Sequence, residues 1–447
     1  MKHIAHLIIG FGKGGKSLAA FLGSRGEDVI LVEKDPLMYG GTCINVGCIP
    51  SKDLIESAKL APKGGDFISK EAYFLKSMDE KIAFIKKMNR KNYDKAASFK
   101  TVKVLDGTAS FIGPHQVNVG EETYEADHIY INTGSSSFVP PIPGVKDNEL
   151  VFLSDSMLSI SYLPERLTII GGGYIGLEFA SMFSMFGSKV SILQAEADFM
   201  GREDRQAALQ VEEDFRLHGI DIIKSVKIQE VKPDGTVLYE VNGSKVSLEG
   251  DAVLLATGRR PNTQELNLEK AGIALSPRGG VLVNDFCETN VPEVYALGDV
   301  TGGLQFTYLS FDDFRAIRDH ILKKEEPYLR SKRGAVPYSV FINPSFSRVG
   351  LSEEEALAAG YEIKTAVFMG RWIPKSLILN EYRGINKAVI DKKTGLILGA
   401  TLYSVDSHEV INIIKMAIDL KLPYVYLRDM IFTHPTMSEA LNDLFAA

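Results

Sequence analysis

The chain has 447 residues, 45% of them hydrophobic and 24% charged, with a formal net charge of −7 and three cysteines. Such a length favours roughly two to four domains, each able to bury its own core. The acidic balance excludes nucleic acid or anionic membrane as the main partner; no apolar run approaches the roughly 18 residues of a membrane span, and three cysteines are too few for a secreted disulfide framework.

The first predicted strand, Ile4–Ile9, is reached with no charged leader or small-residue cleavage site. A cytoplasmic chain is therefore expected, in which a disulfide is catalytic more often than structural. The strand runs into Gly10-Phe11-Gly12-Lys13-Gly14-Gly15 and a helix through Leu22. A GxGxxG between strand and helix gives a tight turn, close backbone approach to a pyrophosphate and close helix packing. The next strand, Val29–Val32, ends at Glu33, a carboxylate suited to a ribose diol. The same stretch also spells Gly10-x-x-x-x-Gly15-Lys16-Ser17, a P-loop with Lys16 for phosphates and Ser17 for magnesium. Glu33 and the segment that follows count against that rival.

Past Glu33 come Cys43 and Cys48, in Gly40-Gly41-Thr42-Cys43-Ile44-Asn45-Val46-Gly47-Cys48-Ile49-Pro50-Ser51-Lys52. Exchanging thiols need a low thiolate pKa, a partner within bonding reach and an electron source. An ideal helix separates residues five apart by roughly 7.5 Å along its axis, too far for most disulfides. Gly47 and Pro50 are residue types that distort a helix enough to close that gap, so a redox pair is favoured over two buried structural cysteines.

Residues 73–97 read as a charged, solvated surface helix. Tyr130-Ile131-Asn132-Thr133-Gly134 ends a strand in Thr-Gly, and Pro140–Gly144 reads as a stiff crossing between domains. A second fingerprint, Gly171, Gly173 and Gly176, follows the strand Leu167–Ile170 and opens a helix through Phe186. The strand after it, Val190–Leu193, ends at Gln194. Gly10, Gly12, Gly15 and Glu33 find these counterparts at one offset of 161 residues. One fingerprint is weak evidence; two in register are strong. Leu254–Gly258 repeats the Thr-Gly ending, and Cys287 reads as a small buried apolar residue. Val294–Asp299 puts a carboxylate at a strand's C-terminal end, where ligands of open α/β sheets bind.

Beyond residue 334, β-like segments (Tyr338–Ile342, Lys387–Ile390, Leu396–Leu402) and a helix over Ser407–Leu420 point to an α+β domain. His408-Glu409 fails the zinc HExxH pattern because residue 412 is Asn, and reads as helix surface. His434, with Glu439 five residues on, offers an imidazole that a carboxylate can orient for acid/base work.

Two dinucleotide folds, a CxxxxC, a Gly-Asp strand end and a terminal His-Pro-Thr-Met-Ser-Glu together resemble the flavoprotein pyridine nucleotide–disulfide oxidoreductases. That family includes glutathione reductase, dihydrolipoamide dehydrogenase and mercuric reductase. Met38–Asn45, Gly298–Tyr308, Val405–Glu409 and Ile431–Phe445 are similar to its RclA-type branch, the reactive-chlorine-resistance and hypothiocyanous acid reductases. The resemblance covers the whole chain. It implies an α/β fold of two Rossmann-like dinucleotide-binding domains with a C-terminal α+β dimerisation domain. Its parts would be an FAD domain (1–146), an NAD(P) domain (147–266), a central part completing the FAD domain (267–333) and an interface domain (334–447).

The resemblance also implies site residues. FAD would be held by Gly10, Gly12, Gly15, Glu33, Gly41, Thr42, Lys52, Ala109, Gly134, Asp299 and Thr307. Of these, Glu33 would bind the adenosine ribose, Lys52 would sit by the flavin ring and Asp299 would hold the ribityl chain. NADPH or NADH would lie along Gly171, Gly173, Gly176 and Gly258, with Tyr174 moving aside for the nicotinamide and Glu178 pairing with Lys52. Gln194 stands where NAD-specific sites usually carry a carboxylate, yet Ala195-Glu196 offers no arginine, so the preference leans weakly to NADPH or is relaxed. Cys48 would face the flavin and Cys43 would attack substrate. His434, oriented by Glu439, would reach this dithiol from the other subunit of a homodimer.

Departures narrow the substrate. Asp443–Ala447 lacks the extra cysteine pair of mercuric reductases and the redox tail of large thioredoxin reductases, and no N-terminal metal-binding domain precedes the first strand. Phe306, Tyr308 and Phe311 beside the flavin-binding turn suit a tight site, or simply pack a central helix. The expected enzyme reduces a small oxidant, hypothiocyanous acid foremost. Small disulfides such as lipoamide, or Cu(II) and Hg(II), are the alternatives. A redox sensor is the non-enzyme rival, but it needs neither His434–Glu439 nor a second nucleotide fold.

Overall fold

The computed structural model describes residues 1–446; Ala447, last in the expected interface region, lies outside the described residues. The first sheet starts from β1 (Lys2–Ile9), whose Leu7-Ile8-Ile9 are buried on both faces, as strands flanked by helices must be. Then follow α1 (Lys13–Ser24), β2 (Val29–Glu33), α2 (Thr42–Asn45), α3 (Cys48–Lys59), α4 (Phe67–Ala97) and β3 (Val102–Asp106). β4 (Ala109–Gly113), β5 (Gln116–Val119) and β6 (Glu122–Ile131) form a meander, and the strand order is β3-β2-β1-β6-β5-β4.

The chain crosses through β7 (Ser135–Ser137), β8 (Val151–Phe152) and α5 (Ser154–Met157) to a second parallel sheet. This comprises β9 (Arg166–Ile170), α6 (Tyr174–Phe186), β10 (Lys189–Leu193), α7 (Arg205–Leu217) and β11 (Ile220–Ile223). A three-stranded meander of β12 (Lys227–Val231), β13 (Val237–Val241) and β14 (Ser244–Leu248) precedes β15 (Ala252–Leu255), giving the order β11-β10-β9-β15-β8. β16 (Arg259–Pro261) pairs with β7, and β17 (Val294–Ala296) returns to the first sheet beside β6, ahead of α8 (Thr307–Ile321).

Both sheets turn into their first helix by one device. Gly10 and Gly171 have φ of +105° and +112°, and a Cβ there would stand 2.4 Å from the carbonyl oxygens of Asn132 and Ala256. Only glycine fits either position.

The last region is an antiparallel sheet ordered β18-β19-β22-β21-β20. It contains β18 (Tyr338–Val340), β19 (Phe346–Gly350), α9 (Glu353–Ala358), β20 (Ile363–Met369), α10 (Pro374–Ile378), β21 (Ile385–Asp391) and β22 (Ile397–Tyr403). α11 (Ser407–Asp419), α12 (Tyr424–Asp429) and α13 (Ala440–Ala446) complete it. One apolar core runs from α3 and α4 through α6 to Val340, Phe346 and Tyr403, so the dithiol helix is welded to both later regions.

Two sequence expectations need correction. The helix expected over 73–97 starts at Phe67, and its mostly solvated surface carries a buried stripe through Phe74, Ser77, Met78 and Lys81. Phe74 packs 5.7 Å from Phe183 and 5.1 Å from Phe186, ring centre to ring centre, and Lys81 is buried with its ammonium on the Leu158 carbonyl. His408 is not free helix surface: its Nδ1 lies 3.1 Å from Ser345 Oγ, at one end of a buried run of hydroxyls through Ser407 and Ser347.

His6 gives the first sheet a built-in acid sensitivity. It is 6% exposed, stacks on His128 at 4.9 Å and touches the Tyr130 hydroxyl at 3.2 Å. Burial, and then the neighbouring His128, push its imidazole down to about 4. The unfolded chain, with a histidine near 6.5, therefore binds the extra proton first. The stability this site contributes is full above about pH 6.5 and is lost as pH falls towards 4. At about pH 5 the loss is about 2 kcal/mol. Melting curves should show wild type losing more stability between neutral and mildly acidic pH than His6→Phe; equal losses would refute this.

Candidate active site

The two cysteines do not share a helix. α2 ends at Asn45, and α3 begins at Cys48 after a break at Val46-Gly47. Gly47 is needed there because a Cβ would stand 2.9 Å from Thr42 O and 3.2 Å from Cys43 Cα. The backbone fold therefore brings Cys48 back beside Cys43, which an unbroken helix could not do. Both are free thiols, Cys43 half-buried and Cys48 exposed.

The pair is unequal. The hydrogen bond from Cys43 pulls the Cys48 thiol down to about 6, with help from the Lys52 ammonium one turn on and from Thr307. Cys48 is the first residue of α3, whose N-terminus no side chain caps, and such a position favours a thiolate. The same hydrogen bond, and burial, push the Cys43 thiol well up. Both shifts favour a thiolate at Cys48 over one at Cys43. Thr307 Oγ1, at the head of α8, is 3.8 Å from Cys48 Sγ.

α4 braces this segment through residues that sequence reasoning missed. Asn89 Nδ2 donates to Asn45 Oδ1 (3.1 Å) and Leu37 O (2.9 Å), while Asn45 Nδ2 holds Gly41 O (2.9 Å). Lys16 Nζ donates to Asn92 Oδ1 (2.7 Å) and Gly40 O (3.3 Å), and burial brings its ammonium down to about 8. Ser17 Oγ donates to Lys13 O at 2.7 Å, an ordinary helix hydroxyl. The P-loop reading thus loses both of its polar residues to structural bonds. The three-residue spacing of Asn89 and Asn92, which puts both on one helix face, was the available signal.

Lys52 Nζ pairs with Glu178 Oε2 at 2.5 Å, and Glu178 Oε1 accepts the Phe341 N–H at 2.9 Å. The pair joins α3 to α6 across the buried Leu54 and Ile55, each worth about 1.5–3 kcal/mol of burial. Tyr174, one turn before Glu178, stacks on Tyr338 with centroids 5.6 Å apart. Phe306 stacks on both Tyr308 (5.2 Å) and Tyr338 (6.0 Å), so those aromatics line the site, whereas Phe311 packs under Lys13 and against Phe314.

The nucleotide cradles begin alike. α1 and α6 start at Gly12 and Gly173, neither of which caps its helix. The first turn of α6 leaves N–H groups for a phosphate, whereas in α1 Gly14 N–H goes to Ser310 Oγ (3.2 Å) and Gly15 N–H to Asn132 Oδ1 (2.8 Å). Glu33 closes the first fingerprint by accepting Phe11 N–H at 3.1 Å, and burial raises its carboxyl. Gln194 lies against Gly172 and spends its amide on Glu196 O (3.1 Å) and Asp198 O (2.8 Å). Asp299 accepts Ser135 Oγ–H at 2.8 Å, and its carboxyl is raised by burial. Gly41 and Thr42 open α2 against Gly12, Ala109 opens β4 in the core, and Gly134 and Gly258 each lie three residues past the ends of β6 and β15. These helix starts and the half-buried carboxylates Glu33 and Asp299 fit FAD and a nicotinamide dinucleotide.

Asn132 and Asp313 were also missed. Asn132 ties the fingerprint to the Gly-Asp turn by accepting Gly15 N–H (2.8 Å) and donating to Leu297 O (2.7 Å). Asp313 accepts Gly298 N–H at 2.8 Å and is held by Arg333 (2.7 Å) and Arg330 (3.0 Å). The Asn in Ile131-Asn132-Thr133-Gly134 was visible, but its partners lie more than a hundred residues away.

His434 Nδ1 lies 2.7 Å from Glu439 Oε2, and Glu439 Oε1 accepts Thr436 N–H at 3.2 Å. The imidazole is 69% exposed, and among the described residues no hydrogen bond or ion pair joins it to either cysteine. α13 packs on α12, β20 and β21, away from α2 and α3. Three residues before His434, Ile431 is 95% exposed, and Met416, Leu420, Tyr426 and Met430 are exposed as well. Among the described residues no helix is long and apolar enough to cross a membrane.

Comparison with known proteins agrees with this geometry. Residues 4–313 match the family described as pyridine nucleotide-disulphide oxidoreductase, and residues 336–445 match its dimerisation domain. The probable pyridine nucleotide-disulfide oxidoreductase RclA of Escherichia coli is 43% identical over 98% of both chains. The mercuric reductase of Staphylococcus aureus is 33% identical over 98% of this chain and 81% of its own. The solved Cu(II) complex of the HOCl-induced flavoprotein disulfide reductase RclA from Escherichia coli superposes with a TM-score of 0.94 at 43% identity, covering 100% of this chain and 99% of the other. With two dinucleotide cradles meeting at an unequal thiol pair, this chain belongs to the pyridine nucleotide-disulphide oxidoreductase family, as a flavoprotein disulfide reductase.

Proposed function

We propose that the chain works as a homodimer in which the Cys43–Cys48 pair passes electrons from NAD(P)H to a small oxidant, hypothiocyanous acid or a related reactive chlorine species. The observation that carries this reading is the break at Val46-Gly47, which sets Cys48, at the uncapped head of α3, back beside Cys43 and next to the Lys52–Glu178 pair. Bound FAD and NAD(P)H would supply the two electrons that return the disulfide to the dithiol. The FAD residues are Gly10, Gly12, Gly15, Glu33, Gly41, Thr42, Lys52, Ala109, Gly134, Asp299 and Thr307. The coenzyme residues are Gly171, Gly173, Tyr174, Gly176, Glu178, Gln194 and Gly258.

In this reading His434 of the partner subunit removes the Cys43 proton. The Cys43 sulfur then attacks the electrophilic sulfur of hypothiocyanous acid, the S–O bond breaks, and the same proton leaves with the oxygen as water. The Cys48 thiolate attacks the Cys43 sulfur and expels thiocyanate, which closes the disulfide. Two electrons have left the dithiol for the oxidant, and no extended groove is required. The exposed His434 and the exposed apolar side chain of Ile431 three residues before it support a partner subunit that completes the site.

A second reading, reduction of Cu(II) or Hg(II), is favoured by one observation: the similar Escherichia coli enzyme was solved as a Cu(II) complex. Steady-state kinetics decide. The FAD-loaded enzyme should show a higher specificity constant for hypothiocyanous acid than for Cu(II), Hg(II), lipoamide or oxidised glutathione. A higher value for lipoamide or a metal ion would overturn the substrate assignment. Because Gln194 carries no charge, the enzyme should accept both coenzymes with a lean to NADPH; a hundredfold preference for NADH, ~2.7 kcal/mol, would refute that.

A further inference from the structure

The helix of the second fingerprint begins with a tyrosine that is tied down. Tyr174 donates its hydroxyl to Glu203 Oε1 at 2.5 Å. Tyr338, at the start of β18, donates to the same carboxylate, 2.9 Å from Oε1 and 2.8 Å from Oε2. The Glu203 side chain has 0% exposure, and its cationic neighbour is Arg348, whose Nη1 is 3.6 Å away and bonds Arg202 O at 2.7 Å. The loop carrying Glu203 is itself anchored: Asp204 caps α7 and pairs with Lys387 Nζ at 2.8 Å. Tyr174 and Glu178 are four residues apart, so they share one face of α6.

We propose that Glu203 is a positioning residue that latches the Tyr174 ring at the head of α6, and that Tyr338, sharing the carboxylate, sets how tightly the latch holds. The inference rests on the reading that the nicotinamide docks beside the Lys52–Glu178 pair. Docking there swings the Tyr174 ring off Tyr338 and breaks its bond to a buried carboxylate, among the stronger hydrogen bonds a protein makes. The latch therefore weakens coenzyme binding and keeps the site covered between turnovers. A glutamine, neutral and a poorer acceptor, holds the hydroxyl less well. Loss of the Tyr338 hydroxyl does the opposite, because Tyr174 then has the carboxylate to itself.

The test is titration of the FAD-loaded enzyme with NADP+ and NAD+. Glu203→Gln and Tyr174→Phe should each tighten the Kd about tenfold, and the double variant should gain no more than either alone. Tyr338→Phe should weaken binding several-fold. That opposite sign is what packing damage cannot produce: weaker binding in all three variants would overturn the latch, as would an unchanged Kd in both Glu203→Gln and Tyr174→Phe. Tyr174→Ala separates the two readings. If it alone changes the Kd, docking stands and the latch is wrong; if it leaves the Kd unchanged, the docking reading fails and takes the latch with it. Should Glu203→Gln not fold, Tyr174→Phe and Tyr338→Phe carry the test, since both keep the buried carboxylate.

Discussion

Replacing either Cys43 or Cys48 by Ser is expected to cut oxidant turnover with NAD(P)H by about a thousandfold or more, ~4 kcal/mol in the barrier. A serine oxygen can neither close the disulfide nor leave as a thiolate. Spectra should then separate the two variants. In Cys43→Ser the new hydroxyl can still donate to Cys48, and Lys52 and Thr307 still favour its thiolate. That variant should keep the long-wavelength absorption of a thiolate against bound flavin. Cys48→Ser removes the only cysteine held low, and the band should vanish. The opposite pattern would reverse the two roles. In the reduced wild-type enzyme, alkylation should report the same asymmetry through pH. Cys48 is held down to about 6, so its thiolate is present above that pH and is lost as pH falls through it. An ordinary thiol would need a pH near 8.5 to reach the same point.

Replacing His434 by Ala is expected to slow oxidant reduction by about 100- to 1000-fold, the range of a positioned general acid–base. The cause lies in the proton. Cys43 holds it more tightly than an ordinary thiol, so attack waits on a base. Glu439→Gln leaves the imidazole in place with a weaker orienting bond, and should lose about tenfold. Heterodimers test the subunit assignment. A dimer pairing one Cys43→Ser chain with one His434→Ala chain contains a complete Cys43 and His434 set only if the histidine acts across the interface. Such mixed dimers should recover about half of wild-type turnover, as one intact site of two would give. Activity no higher than that of the parent variants would place His434 on its own subunit's dithiol, or outside the reaction.

What could be read directly from the sequence was local. Strands ending in GxGxxG, Glu33 and Gln194 at matched distances, and Cys43 and Cys48 astride Gly47 each depend on residues within a few turns of one another, where backbone geometry and periodicity leave few choices. The tertiary structure decided everything that rests on distant partners. Asn89 and Asn92 brace the dithiol from a helix that reads as solvated surface, because amphipathic spacing does not reveal which segment will cover a polar face. Lys16 was available to phosphate by sequence and is committed to Asn92 and Gly40 by packing. The division of one proton between two equivalent cysteines is also tertiary. A thiol's acidity depends on helix position, a neighbouring ammonium and a donor a few ångströms away, and no spacing of residues specifies which of two sulfurs receives them.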